Sequence, residues 1–209
     1  MKRIPFLFFI LALLAGTVLS QERSERGKNE FTVWGGVSPD STNGFLFAGK
    51  TPDVRFAVIG FRYSRRFNNS RYLNLKYTAD VFPVAFLSYP DSEADLSATA
   101  KKRDTRPLRT AIGIQPFGIQ LNLRPRKAIR PFARASAGFM YVNKRTPNYV
   151  GTRFEFTASF GGGIEIGLKK GRAISVGYSY FHISNGYRGD ENPGFDNNLF
   201  WIGYTFRSM

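Results

Sequence analysis

The sequence predicts an all-β protein, an eight-stranded antiparallel transmembrane β-barrel of an outer membrane. Three observations predict it. Segments of strand length alternate apolar and polar residues; short and long connections alternate along the chain; and the composition is rich in aromatics (16%) and glycine (21 residues of 209). Beyond residue 20 no stretch approaches the ~18 consecutive apolar residues that a membrane-spanning helix needs. Strands are the remaining way to cross a bilayer, because a closed barrel satisfies every backbone polar group internally.

The first twenty residues stand apart. Lys2 and Arg3 precede an apolar run from Ile4 to Leu14 and then Ala-Gly-Thr-Val-Leu-Ser, the three zones of a secretory signal peptide, with cleavage expected near Ser20. Residues 21–209 then form a single domain. There is no Cys, so the exported chain is expected to use neither disulfides nor a lipid-modified cysteine, and its stability rests on the strand ladder.

Eight strands are expected. The first runs from Phe31 to Val37 and ends at Ser38-Pro39-Asp40; the second runs from Val54 to Phe67 and is closed by the turn Asn68-Asn69-Ser70. The third, from Tyr72 towards Leu87, is the least regular, and Pro83 marks a bulge or a strand end in it. A polar segment, 88–107, leads to the fourth, from Arg109 to Leu123, whose alternation Pro116 interrupts. Arg124-Pro125-Arg126-Lys127 turns into the fifth, from Ile129 to Val142, and a loop from Asn143 to Gly151 follows. The sixth is the clearest: Phe154, Phe156, Ala158, Phe160, Ile164 and Ile166 share one face, with Glu155, Thr157, Ser159 and Glu165 on the other. Lys169-Lys170-Gly171 turns into the seventh, from Arg172 to His182, and the eighth runs from Asn198 to Phe206.

Connections after strands 2, 4 and 6 are expected to be short, and those after 1, 3, 5 and 7 long. That asymmetry is the one found in outer-membrane barrels, with tight periplasmic turns and longer external loops. A lipocalin-like soluble barrel shares the strand count but turns its apolar face inward. With the N-terminus on the periplasmic side, strand 7 ends and strand 8 begins at the external surface.

The formal charge is +15, and removal of Lys2 and Arg3 would lower it by two. Such a surface attracts anionic partners. For an exported chain the phosphorylated leaflet of lipopolysaccharide is the expected one, rather than nucleic acid.

Candidate chemistry lies in residues 178–206, which hold the chain's one histidine, His182. Ser184 follows two positions later, and on a strand that spacing puts both side chains on one face with Cα atoms about 6.8 Å apart. Asp196 has the parity of Phe200, Ile202, Tyr204 and Phe206, so all three side chains would face lipid at the outer leaflet if the strand ends stay extended. A serine nucleophile, a histidine base and a carboxylate are the parts of an acyl-transfer triad. The backbone N–H groups of Gly186 and Tyr187 could serve an oxyanion, Asn185 could order the turn, and Pro193-Gly194 reads as a loop-shaping pair. Asp190, Glu191, Asn192 and Asp196 lack the alternating spacing of a calcium loop, and no cofactor or metal is expected. A lone His near a Ser is also commonly just a hydrogen-bonded side chain, which leaves a structural role open.

The pattern His182-x-Ser184-Asn185 followed by Asn192-Pro193-Gly194-x-Asp196 resembles the active-site segment of outer-membrane lipid A 3-O-deacylases of the PagL type and their acyloxyacyl-hydrolase-like relatives. The acid lies fourteen positions after the His, as in that family, but is Asp where its best-known member has Glu. The resemblance covers about the last quarter of the chain. It implies an esterase acting on lipid A in the outer leaflet, with the Asn192 side chain as an oxyanion donor. The competing expectations are a non-catalytic barrel in adhesion or envelope integrity and a soluble periplasmic binder.

Overall fold

A computed structural model describes residues 29–41, 51–68, 70–90, 106–147, 151–190 and 192–207. The expected signal segment lies outside them. Eight strands close into one antiparallel barrel: β1 (Asn29–Ser38), β2 (Arg55–Arg66), β3 (Leu73–Ser88), β4 (Leu108–Leu123), β5 (Ile129–Thr146), β6 (Thr152–Gly167), β7 (Ala173–Ser184) and β8 (Phe195–Arg207). Closure comes from β1 pairing with β8, with Phe31 opposite Phe206 and Val37 opposite Phe200.

Prolines break the ladder where the sequence places them. The β3–β4 register shifts between Phe82 and Ala85, flanking Pro83, and the β4–β5 register shifts between Ile114 and Phe117, flanking Pro116. Proline has no N–H to give the ladder, so the strand bulges around it and the alternation resumes in the other phase. The turns 67–72, 124–128 and 168–172 are short, while 39–54, 89–107 and 185–194 are longer. One expectation is corrected. The connection after β5 is not long: β5 continues to Thr146, leaving only 147–151 before β6, because Asn143 to Thr146 stay extended instead of looping.

The two faces differ in chemistry. Outside, Phe31, Ile59, Phe61, Val81, Ile112, Ile114, Ile119, Val176, Phe200 and Ile202 are exposed, the apolar surface a bilayer would cover. Tyrosine and phenylalanine pairs line this wall, Phe31–Tyr63 and Tyr204–Phe206 near the short turns, Tyr178–Phe200 at mid-strand and Phe139–Phe156 towards the other end.

Inside, the half nearest the short turns is polar. Asp80 accepts from Trp34 Nε1 (2.8 Å) and Arg62 Nε (2.9 Å) and is also bonded by Arg134. Lys76 pairs with Glu30 (2.8 Å), and Arg130 with Glu165 (3.2 Å). The other half is an aromatic plug in which Phe181 packs on Phe56 (5.2 Å) and Phe82 (6.1 Å). Glycine makes room for the largest ring: a Cβ at Gly177 would come within 2.6 Å of Trp201 Cζ2, and one at Gly163 within 2.9 Å of Phe132 Cζ.

Candidate active site

The site forms where β7 and β8 meet at the end with the longer connections. Both strands extend further than the alternation predicted, β7 to Ser184 and β8 from Phe195, so all three triad candidates lie within the ladder. The reason is in the lumen. Phe181, Ile183 and Phe195 are buried there, and Phe195 packs on Tyr89 at 5.1 Å. Anchoring these inward positions holds the alternate ones, His182, Ser184 and Asp196, on the outer wall.

His182 and Asp196 are directly opposite each other in the β7–β8 register. Nδ1–H of His182 donates to Asp196 Oδ1 at 2.6 Å. Asp196 is fully buried although it faces outward, and His182 is 12% exposed. With the carboxylate on Nδ1, the tautomer is fixed so that Nε2 carries the lone pair of a neutral imidazole. Ser184 shares the outward face two residues on, half-buried, opposite Phe156 of β6.

Gly194 closes the notch beside this pair. Its φ is +57°, the left-handed region that side chains disfavour. A Cβ there would stand 3.3 Å from His182 Cε1 and 3.6 Å from Ser184 Cβ. Gly194 O also accepts from Thr51 N (3.3 Å), so the β1–β2 connection braces this loop. The residue that reads as a turn signal therefore lies beside both His182 and Ser184, which sequence spacing alone does not reveal.

The turn 185–190 is ordered by Asn185, which is buried. Its Oδ1 accepts from Tyr187 N (2.9 Å), its N–H donates to Asn192 Oδ1 (3.1 Å), and its carbonyl accepts from Arg188 N (3.3 Å). Tyr187 N–H is thereby engaged within the turn, and its ring is 83% exposed. Of the donors named from sequence, Gly186 N–H and the Asn192 amide nitrogen are the ones not drawn into these bonds. Gly186 itself has φ +62° and lies against the Phe156 ring. Tyr180, on the same outward face of β7, is only 2% exposed and stacks with Phe160 at 5.1 Å.

The outer wall beside the site has three levels, fixed by register. Ser184 is level with Phe156 and Phe139; His182 is level with Ala158 and Ala137; Tyr180 is level with Phe160 and Ala135. Small side chains on the middle level, between bulky aromatics, leave a trench. A cavity of about 580 Å³ occupies it, bounded by Phe160, Ile119 and Tyr77 and ending at Phe117, which is paired with Ala137. It starts one strand away from His182.

A profile of the lipid A 3-O-deacylase (PagL) family matches residues 71–205, a span that includes His182, Ser184 and Asp196. The chain belongs to that family. Among solved structures it is similar to the outer-membrane enzyme PagL, with a TM-score of 0.59 and 14% identity over 85% of this chain and 99% of that one. It also matches Neisserial surface protein A (TM-score 0.48, 10% identity, 88% of this chain and 100% of that one) and the Yersinia pestis attachment invasion locus protein Ail (0.44, 12%, 87% and 100%). No curated protein sequence matches it. Family and fold together make this lipid A 3-O-deacylase family member an outer-membrane β-barrel.

Proposed function

We propose that the chain is an outer-membrane esterase that removes an ester-linked acyl chain, a 3-O-linked hydroxyacyl group, from lipid A, with Ser184 as nucleophile, His182 as general base and Asp196 as the group orienting the imidazole. The observation that carries this is the 2.6 Å His182–Asp196 bond on the lipid-facing wall, with Ser184 on the same face of the same strand. A merely structural barrel gains nothing from placing an ionisable pair there, since polar groups facing hydrocarbon cost free energy.

Ser184 Oγ attacks the ester carbonyl carbon as His182 Nε2 takes its proton. The tetrahedral intermediate collapses, and the sugar alkoxide leaves with that proton, giving an acyl-enzyme. Water then attacks the acyl carbon, again deprotonated by His182, and returns Ser184 and a free fatty acid. Asp196 holds the tautomer and stabilises the imidazolium that forms twice in the cycle. Gly186 N–H and the Asn192 amide are the donors for the oxyanion. The acyl chain has a place in the trench at Ala158 and Ala137, immediately beside the base.

The test is mass spectrometry of lipid A from cells producing the wild-type chain or Ser184→Ala. Loss of one hydroxyacyl group with the wild type alone is the expected result. Unchanged lipid A in both, with each barrel folded in the outer membrane, would transfer the chain to the non-catalytic reading of adhesion or envelope integrity.

A further inference from the structure

We propose that Arg145, Arg153 and Arg188 form a phosphate-binding pocket that holds the phosphorylated sugar headgroup of the lipid while its ester lies at Ser184. This rests on the deacylase reading and adds a headgroup site to it. A cavity of about 530 Å³ opens one level further out than Ser184, lined by the three arginines with Tyr141, Thr152 and Phe154. Tyr141 and Phe154 are paired across β5 and β6, two residues beyond the Phe139–Phe156 pair that is level with the serine. Two residues of strand are about 6.8 Å, a sugar-sized step from the ester towards the outside.

The arginines are placed and charged for an anion. Arg188 lies over the Phe154 ring at 5.1 Å, and Arg145 Nη1 donates to Gly151 O at 3.1 Å. Both contacts orient a guanidinium and leave it other N–H groups to donate. Among the described residues no carboxylate lines the pocket and none of the three arginines makes a salt bridge. Glu155, the nearest acid along β6, is buried in the lumen and accepts from Thr152 Oγ1 at 2.8 Å. Three arginines lining one cavity suit a dianion with several acceptor oxygens, and planar forks match phosphate two bonds at a time. Phosphate below, acyl chain outside would invert the wall's chemistry; the observed order, cationic pocket, serine, apolar trench, matches headgroup, ester and chain.

The experiment measures binding without turnover. Ser184→Ala, folded in detergent micelles, is titrated with lipid A and with its dephosphorylated form, and the comparison is repeated with R145Q/R153Q/R188Q on the same background. Preference for the phosphorylated lipid by about tenfold or more is expected, and the triple variant should bind both forms alike. Inorganic phosphate should erase the preference only in large excess; erasing it at concentrations comparable to the lipid would assign the pocket to free phosphate and overturn the headgroup proposal. Equal binding of both lipids by the parent, or an unchanged preference in the triple variant, would also overturn it. Heat-modifiable migration on gels reports whether each barrel is closed, and R145Q and R188Q singly carry the test should the triple variant not fold. Wild-type protein assayed on both lipids separates the two readings: no acyl release from either would sink the esterase while the binding preference still decides the pocket.

Discussion

His182 and Asp196 face each other across the β7–β8 ladder as direct register partners, joined by a 2.6 Å bond from Nδ1. The bond is built into strand pairing rather than into a loop. Asp196→Asn should keep the barrel closed, since the side chain faces outward and its size is unchanged, yet present the wrong partner to the imidazole. A fall in kcat of about 10³–10⁴-fold is expected, smaller than the ~10⁶-fold expected for Ser184→Ala. Asp196→Glu should recover part of the loss because it restores a carboxylate. Initial rates of fatty-acid release by the purified variants decide it; wild-type turnover by Asp196→Asn would mean that the carboxylate has no part in orienting the base.

Gly194 should tolerate no side chain. Its φ of +57° makes any Cβ cost about 1–2 kcal/mol, and the added carbon would stand 3.3 Å from His182 Cε1. Gly194→Ala should lower kcat by displacing the imidazole, and Gly194→Val more so, with strand content intact by circular dichroism. Full activity in Gly194→Val would show that the loop moves away from the base during turnover.

Stability should depend on Asp80 more than on any residue of the active site. Its carboxylate is fully buried and is shared by Arg62, Arg134 and Trp34. Asp80→Ala would leave two buried guanidinium groups without their counter-ion, a loss of about 3–5 kcal/mol. Urea unfolding in micelles should show it as a lower midpoint. A midpoint equal to wild type would mean that water entering the lumen replaces the carboxylate.

Much of this was legible in the sequence, for one physical reason: a barrel wall imposes a period of two on every strand. The alternation along β6 fixed which residues meet lipid, and the same parity carried His182, Ser184 and Asp196 to one face. Phe181, the one bulky ring in an inward row that otherwise reads Ala173, Ser175, Gly177 and Ser179, is explained by the aromatic plug it joins with Phe56 and Phe82. What the period could not convey was anything set by register between strands. That Ala137, Ala158 and His182 are level, that Gly194 folds back beside His182, and that Arg145 and Arg188 line one cavity from different elements all depend on pairings between segments far apart in the chain. The extension of β5 to Thr146 was missed because Asn143 to Arg145 are polar and exposed, giving no alternation to read.

The trench makes the sharpest claim on specificity. A lipid acyl chain already lies in hydrocarbon, so moving it onto the wall brings no hydrophobic gain; only shape and packing can select it. The alanines at 137 and 158 are what leave the space, and Phe117 closes its end. Ala158→Phe would fill the trench one strand from His182, on a lipid-facing surface where a larger side chain meets no core. The barrel should therefore fold as wild type, while release of long acyl chains falls at least tenfold and release of short-chain esters is kept. Phe117→Ala should act oppositely, lengthening the trench and shifting the preferred chain upward. Chain-length profiles of the released fatty acids test both, and parallel loss of short and long chains in Ala158→Phe would place the acyl chain elsewhere on the wall.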